Sequence, residues 1–242
     1  KECGFINLID YIVTSEEHEI EKPNPLLIDK ALKLSGSSRD EVIMFGDSVV
    51  DDMSTHGIDY YPYNCSKLMI SISGKSGAGK STISEIIRDV WKCKVIEGDG
   101  YHKFERDDHR WANLTHYNPL ANNLIQLGLD IRSIFHELNY IDVPTYNHEN
   151  GKFGDKTYIN TKELDVVVID GLHSLYKEVT GNFVKLKIFI DNKLADNQKI
   201  KRDTTVRNKT KDGVLNSITS RELDYEKYIR VQKQHSNFII DV

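Results

Sequence analysis

The sequence predicts an α/β protein in which a doubly wound parallel sheet follows a smaller α/β segment. Short apolar runs rich in Val and Ile alternate along residues 67–242 with segments that have the 3.6-residue period of amphipathic helices. Such alternation is typical of parallel sheets covered by helices on both faces. The charge changes as well, because residues 1–66 carry 5 Lys+Arg against 13 Asp+Glu and residues 67–242 carry 27 against 24. We therefore expect two units, 1–66 and 67–242.

The first unit is predicted to contain one helix and one strand. Pro23 and Pro25 precede a run of apolar residues at helical spacing over 26–34, and Gly36 ends it. The run VIMF at 42–45 indicates a short buried strand. The segment DYYPYN at 59–64 has turn residues and no helical period, so we expect it to form the boundary between the units.

The second unit is predicted to contain several strands and helices. The run VVVI at 166–169 has no polar alternation, as expected of a central parallel strand that is buried on both faces. Apolar residues at i, i+3 and i+4 spacing predict helices over 83–91 and 124–138. Apolar runs predict five strands, at 68–72, 94–96, 166–169, 186–190 and 238–240.

Composition narrows the classes of function. No apolar run approaches the ~20 residues that cross a bilayer, and no charged-then-apolar leader follows Lys1. The cysteines, Cys3, Cys65 and Cys93, are odd in number and lack metal-ligand spacing, which favours reduced thiols in a cytoplasmic protein. The small positive excess of the second unit does not indicate a nucleic-acid partner. We expect a small-molecule substrate and no membrane partner, and the sequence leaves homo-oligomerisation open.

A phosphate-binding loop follows the first strand of the second unit. The residues GKSGAGKS at 74–81 match G-x-x-x-x-G-K-[ST] at every fixed position, between a predicted strand and an amphipathic helix. Backbone N–H groups of such a loop surround nucleotide phosphates. Lys80 is expected to reach the β- and γ-phosphates, and the Ser81 hydroxyl to bind Mg²⁺. The predicted ATP-binding residues are Gly74, Lys75, Ser76, Gly77, Ala78, Gly79, Lys80, Ser81 and Thr82.

Asp170 follows the buried run at 166–169 and is the second expected metal ligand. The carboxyl ends of parallel strands meet at one edge of a sheet, where the phosphate loop also lies. A carboxylate there orients Mg²⁺ directly or through water. An aspartate at the end of a strand can instead cap the following turn. The predicted cofactors are ATP and Mg²⁺.

The second strand leads into GDGYHKFER at 98–106, at the same edge of the sheet. Asp99 can accept the proton of an attacking hydroxyl group, and His102 and Arg106 would lie on the far side of the acceptor molecule. Taken alone, His102 is equally well explained as a surface histidine. The combination of an acid, a histidine and an arginine in one segment favours an acceptor site.

A basic segment, QKIKRDTTVRNKTKDG at 198–213, contains three further candidates. Lys199 and Arg202 are three residues apart on a predicted helix and share a face. Arg207 lies in the polar stretch that follows, which ends at Gly213 and has the composition of a mobile lid. Closure of a lid would exclude water and bring guanidinium groups to the transferring phosphoryl group. A solvated basic face is the alternative explanation.

These motifs together resemble the phosphoribulokinase and uridine kinase family, which has a P-loop NTPase fold, and its phosphoribulokinase branch more closely. The resemblance covers nearly all of residues 68–242. It implies an ATP-dependent kinase that phosphorylates a hydroxyl group of a small sugar phosphate. Besides GDGYHKFER it rests on NPLAN at 118–122, PTYNH at 144–148, DGLH at 170–173, KIKRDTTVR at 199–207 and QKQH at 232–235.

The resemblance also implies residue roles. Asp99 would be the catalytic base, acting with Lys80 and Arg202. The family usually has Glu at the position of Asp170, and Gly100 replaces a residue that is often Asp or Ser. These departures leave specificity for ribulose 5-phosphate open. The substrate-binding residues implied by the resemblance are His102, Arg106, Tyr146, His148, Lys199, Arg202 and Arg207.

Two other functions remain as alternatives. A uridine or cytidine kinase would need fewer cations around its neutral acceptor. A regulatory module that binds ATP without transferring phosphate would need no base such as Asp99 on the acceptor side.

Residues 1–66 resemble the C-terminal half of a haloacid-dehalogenase-type phosphatase, as a partial Rossmann-like segment. Lys22 in EKPNP is similar to the phosphate-facing lysine of that family, and Asp47 to its Mg²⁺ ligand. Asp51 or Asp52 would support that ligand. The phosphatase chemistry also requires an aspartate nucleophile in a DxD pattern on an upstream strand, and none precedes Lys22. We expect an incomplete and inactive phosphatase-like remnant.

Overall fold

The computed structural model describes residues 10–15, 20–46, 49–55, 57–62, 67–91, 93–112, 114–136 and 140–242. The chain divides into two units, residues 1–65 and 66–242. No helix among the described residues has the length and apolar character needed to cross a bilayer.

The smaller unit contains two helices and a two-stranded parallel sheet. In chain order its elements are α1 (Leu26–Ser35), β1 (Ile43–Gly46), α2 (Val49–Ser54) and β2 (Asp59–Pro62). The predicted helix is confirmed as α1 and the predicted strand as β1, but the strand is not buried as predicted, since Ile43 and Phe45 are 59% and 69% exposed. Gly36 ends α1 as predicted, with its N–H bonded to the Leu32 carbonyl oxygen.

The segment 59–62, predicted to be a turn at the boundary, is instead strand β2. It pairs in parallel with β1, from Ile43 opposite Asp59 to Gly46 opposite Pro62. The two tyrosines of DYYP are good strand formers once a partner strand is available, and Pro62 stands at the end of the ladder, where a missing N–H costs little. The sequence prediction gave the turn residues more weight than the tyrosines, and the predicted turn at 59–62 was wrong.

The larger unit is built on a five-stranded sheet in which all neighbours are parallel. The described part of the larger unit has seven strands, five of which form this sheet. The seven are β3 (Leu68–Gly74), β4 (Lys94–Glu97), β5 (Tyr140–Asn147), β6 (Lys152–Asn160), β7 (Val166–Asp170), β8 (Leu186–Asp191) and β9 (Phe238–Asp241). β5 and β6 form a separate antiparallel hairpin, and the others lie in the order β4-β7-β3-β8-β9. All five predicted strands are confirmed, and all lie in this sheet.

Helices of very different lengths connect the strands. They are α3 (Lys80–Trp91), α4 (Leu124–Phe135), α5 (Lys177–Thr180), α6 (Ala195–Thr205), α7 (Lys211–Thr219) and α8 (Glu222–Asp224), and α8 continues into a π-helical turn, Tyr225–Ile229. The predicted helices over 83–91 and 124–138 are confirmed as α3 and α4, although α4 ends at Phe135.

Apolar side chains cover both faces of the sheet. Neighbouring residues on a strand point to opposite faces. Ile188 and Ile190 of β8 pack in a cluster that includes Ile87 of α3, whereas Phe189 packs in a second cluster with Tyr117 and its neighbours. The sheet is therefore doubly wound, as the sequence predicted.

The hairpin β5–β6 is absent from the sequence prediction. Pro144 interrupts the pattern of β5, where the register shifts between Val143 and Thr145, and most of β6 is exposed. Such a strand pair has no apolar alternation to reveal it. The hairpin is important for the site because Tyr146 lies near the end of β5 and His148 in the turn that follows.

The polar stretch after α6 is shorter than the sequence prediction implied. The hydroxyl of Thr210 caps α7 and accepts a hydrogen bond from the Gly213 N–H at 3.2 Å. Gly213 therefore lies inside a helix and does not end a loop. Only residues 206–210 separate α6 from α7, and closure of a lid at this position stays a prediction.

Candidate active site

The loop at 74–81 joins the carboxyl end of β3 to the first turn of α3. Its backbone turns sharply at Gly77, where φ is 91°. A Cβ atom on Gly77 would lie 2.4 Å from the Ala195 carbonyl oxygen, so another residue would push α6 away. Successive amides that lead into a helix N-terminus form an anion-binding concavity. The loop thus has the local structure that its sequence predicts.

Lys80 is near the end of this loop, and its side chain folds back onto the loop backbone. Its Nζ donates hydrogen bonds to the carbonyl oxygens of Gly74 at 3.1 Å and Lys75 at 3.2 Å. Burial lowers the pKa of Lys80, and the negative charges of Asp170 and Asp99 oppose that shift. The amino group therefore sits between the loop and two carboxylates, where phosphate oxygens can reach it.

The Lys75 side chain ties the loop to other parts of the unit. Its Nζ makes 2.8 Å ion pairs with Asp196 of α6 and Glu222 of α8, and it lies 4.8 Å from the centre of the Tyr225 ring. Because the Lys75 side chain makes these contacts within the protein, the group that Lys75 can offer to a nucleotide is its backbone N–H.

A cavity of about 500 Å³ adjoins the phosphate loop. Its size falls in the range of about 300–1,000 Å³ that is common for small-molecule sites. Ala78 is buried, and its carbonyl oxygen accepts a hydrogen bond from Asn192 at 3.2 Å. The cavity is lined on the loop by Ser76, Gly77, Gly79, Lys80, Ser81 and Thr82, and elsewhere by residues that include Asp99, His148, Asp170, Arg202 and Arg207.

Ser81 and Asp170, the predicted metal ligands, lie together in this cavity. Both side chains line it, and the Ser84 hydroxyl donates to Asp170 Oδ2 at 3.2 Å. Burial raises the pKa of Asp170, and the charge of Lys80 opposes this. A hydroxyl and a carboxylate are the hard oxygen donors that Mg²⁺ binds, so these residues fit the ion.

The described part of the chain contains no group of three or more His, Cys, Asp or Glu side chains suited to a metal ion. Mg²⁺ is commonly bound by one or two carboxylates together with substrate phosphates and water.

Asp99 lies between two histidines. Its Oδ1 is 3.5 Å from His102 Nε2, and its Oδ2 is 3.5 Å from His148 Nε2. Burial acts to raise the pKa of Asp99, but the charges that His102 and His148 carry when protonated, together with that of Lys80, outweigh it and lower the pKa to about 2. The carboxylate is therefore ionised at neutral pH and can accept a hydrogen bond from a hydroxyl group.

A second cavity, of about 140 Å³, meets the first at Asp99. Asp99, His148 and Arg207 line both cavities, whereas Arg202 lines only the larger one. The two cavities thus share a wall that carries an ionised carboxylate. The structure brings six of the predicted substrate-binding residues to the second cavity: His102, Arg106, Tyr146, His148, Lys199 and Arg207.

Arg106 also holds the tip of the β5–β6 hairpin. Its guanidinium donates to the carbonyl oxygen of His148 at 2.5 Å and to that of Glu149 at 3.1 Å. Its backbone N–H donates to the Gly151 carbonyl oxygen at 2.8 Å. Arg106 therefore fixes the turn that carries His148, in addition to lining the smaller cavity.

Asp203, which the sequence analysis missed, connects the predicted cations. This side chain is 1% exposed and lies 3.0 Å from Lys199 Nζ, 2.8 Å from Arg202 Nη2 and 3.5 Å from Arg207 Nη1. Burial raises the pKa of Asp203, but the charges of Lys199 and Arg202 outweigh it, so the pKa lies well below its usual range. The spacing was a usable signal, since Asp203 is four residues from both Lys199 and Arg207.

Four further residues of the smaller cavity were also missed. Lys209 and Arg221 add positive charge to its lining. His116 is half-buried against Trp111, and its buried Nδ1 has no hydrogen-bond partner among the described residues. The Tyr117 hydroxyl accepts a hydrogen bond from the Ser76 N–H of the phosphate loop at 3.2 Å. No sequence pattern connects these residues, because they come from three segments that are separated in the chain.

Gly100, the departure from the family pattern, lets β5 approach the turn that carries Asp99. A Cβ atom at this position would lie 2.3 Å from the carbonyl oxygen of Pro144. The Asp or Ser common in the family would not fit here unless the hairpin moved. Gly100 thus determines how closely Tyr146 and His148 approach Asp99.

In the smaller unit, the structure brings together two of the four predicted phosphatase-like residues. Lys22 Nζ donates to Asp51 Oδ1 at 2.5 Å, and Asp51 is buried. Asp47 lies outside the described residues. Asp52 belongs to α2, and its side chain is likewise outside the described part.

The parallel sheet and the loop at 74–81 define an α/β protein of the P-loop kinase fold. The protein-family sequence model described as "Phosphoribulokinase / Uridine kinase family" matches residues 69–242. The chain belongs to this family of kinases.

Individual relatives agree with this assignment. Phosphoribulokinase from Synechocystis sp. is 33% identical over 180 residues, which cover 72% of this chain and 53% of the relative. Uridine kinase from Borreliella burgdorferi is 29% identical over 179 residues, 71% of this chain and 85% of the relative. The solved structure of phosphoribulokinase from Rhodobacter spheroides has a TM-score of 0.58 and 25% identity, over 73% of this chain and 70% of that chain. This chain spans about half the length of the curated phosphoribulokinases that it matches.

The N-terminal resemblance is confirmed as well. The model described as "Haloacid dehalogenase-like hydrolase" matches residues 1–59. The chain therefore combines a segment of that kind with a kinase unit.

We expect Gly100→Ser to raise KM for any acceptor that supports turnover and to leave KM for ATP unchanged. The added side chain would push the hairpin away from Asp99, and overpacking of this kind costs about 1–3 kcal/mol, which corresponds to roughly 5- to 150-fold in binding. Gly213→Ser is the control, because a Cβ there meets only the Thr210 hydroxyl. Steady-state kinetics with each substrate varied in turn gives the result, and an unchanged acceptor KM in Gly100→Ser would contradict this account of the hairpin.

Proposed function

We propose that the larger unit transfers the γ-phosphate of ATP to a hydroxyl group of a small sugar phosphate. One observation carries the proposal: Asp99 lines both the cavity at the phosphate loop and the smaller, cation-lined cavity. An ionised carboxylate at this junction supports proton transfer from an acceptor hydroxyl that faces the terminal phosphate.

On the nucleotide side, backbone amides of the loop at 74–81 bind the phosphates, and Lys80 Nζ reaches the β- and γ-phosphate oxygens. Ser81 and Asp170 would hold Mg²⁺, which would supply positive charge to those oxygens. Lys80 is supported in this position by the carboxylates of Asp99 and Asp170, whose charges favour its protonated form.

In the chemical step, the acceptor oxygen bonds to the γ-phosphorus, its proton passes to Asp99, and the bond to the β–γ bridging oxygen breaks to release ADP. Such transfer depends mainly on positioning and on electrostatic stabilisation. Arg202 and Arg207 line the larger cavity and supply positive charge to the transferring group. Asp203 keeps both guanidinium groups in place through its buried carboxylate.

The charge of the smaller cavity supports a phosphorylated acceptor. A lining this positive in a volume of about 140 Å³ favours an anion that can pair with several cations at once. A uridine or cytidine kinase is the second candidate, and the 29% identity to the Borreliella burgdorferi uridine kinase favours it. The five cationic residues that line the cavity are Arg106, Lys199, Arg207, Lys209 and Arg221.

A module that binds ATP without transferring phosphate is less well supported. Asp99 has no ion pair with an arginine or lysine that would give it a purely structural task, and both of its neighbours within 3.5 Å are histidines in the described part of the chain. A base on the acceptor side has a use only if a proton is removed there.

The proposal is tested by measuring ADP release with Mg²⁺ and ATP over a panel of pentose phosphates, hexose phosphates and nucleosides. We expect turnover that depends on a sugar phosphate. Turnover with nucleosides alone would favour the second candidate, and no acceptor-dependent turnover in a protein that binds ATP would favour the module.

We expect Asp99→Asn to lower kcat by roughly 10²- to 10⁴-fold, because the amide cannot take the proton of the acceptor. KM for ATP should change little, since the phosphate loop is untouched. Asp107→Asn is the matched control: it is the same substitution in the same loop, at a side chain that is 77% exposed. Near-normal turnover in Asp99→Asn would show that Asp99 is not the base.

Lys199 should give the reaction a pH dependence. Burial lowers the pKa of Lys199 to about 8, although Asp203 opposes the shift. The amino group is therefore charged below pH 8 and loses its charge as the pH rises through that value. We expect kcat/KM for the phosphorylated acceptor to fall above pH 8 in the wild type and to stay flat in Lys199→Arg, whose guanidinium remains charged. A parallel fall in both proteins would remove Lys199 from this role.

A further inference from the structure

The segment 118–122 was recognised as a motif but has no role in the function described so far. It folds back onto the turn that carries Asp99. Asn122 forms an antiparallel bridge with His102, and two backbone hydrogen bonds flank it: Asn123 N–H to the Tyr101 carbonyl oxygen at 2.7 Å and Lys103 N–H to the Ala121 carbonyl oxygen at 2.9 Å. These bonds place the Asn122 side chain beside the His102 ring.

The orientation of the Asn122 amide is determined by its partners. Its Nδ2 donates to the carbonyl oxygens of His116 at 3.1 Å and Asn118 at 2.9 Å. Carbonyl oxygens only accept hydrogen bonds, so the amino group must face them. The side chain is buried, and its Oδ1 lies 2.7 Å from His102 Nδ1. An amide oxygen cannot donate, so His102 Nδ1 carries the proton in this contact.

When the ring carries one proton and that proton is on Nδ1, the lone pair of His102 is on Nε2. That nitrogen lies 3.5 Å from Asp99 Oδ1, which is too far for a direct hydrogen bond. The edge-to-face contacts with Trp111 and Tyr146, at ring distances of 5.7 and 5.6 Å, keep the ring in this orientation. Two hydrogen-bond acceptors, Nε2 and the Asp99 carboxylate, thus lie next to each other at the smaller cavity.

We propose that Asn122 is a positioning residue that fixes the Nδ1–H tautomer of His102, so that Nε2 accepts a hydrogen bond from a second hydroxyl group of the acceptor. The inference rests on the proposed function and narrows it to acceptors with at least two hydroxyl groups. Asp99 takes the proton of the reacting hydroxyl. His102 Nε2 holds the neighbouring hydroxyl group of the acceptor through a hydrogen bond and takes no proton in the chemical step.

The tautomer is measured directly, without turnover. Long-range ¹⁵N–¹H correlation spectra of ¹⁵N-labelled protein distinguish a protonated ring nitrogen from a bare one. The His102 signals are assigned by their loss in His102→Gln. We expect a proton on Nδ1 and a bare Nε2 in the wild type, and a mixture of tautomers in Asn122→Leu, which keeps the side-chain size but removes the amide.

The kinetic effect should be confined to the acceptor. Removing the partner that orients a functional histidine costs on the order of 10- to 100-fold, and we expect kcat/KM for the acceptor to fall by that factor in Asn122→Leu while KM for ATP is unchanged. Asn118→Ala is the control, because among the described residues its side chain accepts a hydrogen bond from the Leu120 N–H and does not contact His102.

Two results would overturn the proposal: a proton on His102 Nε2 in the wild-type spectrum, or wild-type kcat/KM for the acceptor in Asn122→Leu. If Asn122→Leu does not fold, the wild-type spectrum still decides. Failure of the proposed function would look different, since the wild type would turn over no acceptor while its nitrogen spectrum remained readable.

Discussion

The parallel pairing of β4 with β7 is the constraint on which the site depends. Glu97 is paired with Asp170 in this register, so the turn after β4 and the end of β7 lie side by side. Asp99 and Asp170 consequently act on the same lysine, Lys80, which burial alone would drive toward its neutral form. Buried charges persist only when opposite charges compensate them. A change in this register would separate the carboxylates from the phosphate loop and leave each group unpaired.

Features encoded by local pattern could be predicted from the sequence. The strands of the sheet are continuous apolar runs, and the phosphate loop is defined by the spacing of its glycines and Lys80, so both were found. Asp203 was within reach, because its spacing from Lys199 places both residues on the same side of α6. It was missed because nothing in the sequence of a basic segment shows that one acid within it is buried, and Asp203 is 1% exposed.

Features that depend on contacts between distant segments could not be predicted. The β5–β6 hairpin has no apolar alternation, and its position is determined by the close approach of Pro144 to Gly100. Sequence alone showed Gly100 as a departure from the family pattern without showing what occupies the space. Asn122 contacts His102 twenty residues away, and only the bridge between their backbones brings them together. In the smaller unit, the tyrosines of β2 were outweighed by turn residues because its partner strand could not be identified from the sequence.

The hydrogen bond between the Tyr117 hydroxyl and the Ser76 N–H joins the phosphate loop to the wall of the smaller cavity. A phosphate group that takes this amide must displace the hydroxyl, and the Tyr117 backbone is itself bonded to His173 Nε2 at 2.8 Å. Binding of a phosphate group at the loop is therefore coupled in free energy to the position of Tyr117, which lines the smaller cavity. Such coupling is reciprocal. If a bound nucleotide changes the affinity for the second substrate by some factor, the bound second substrate changes the affinity for the nucleotide by the same factor.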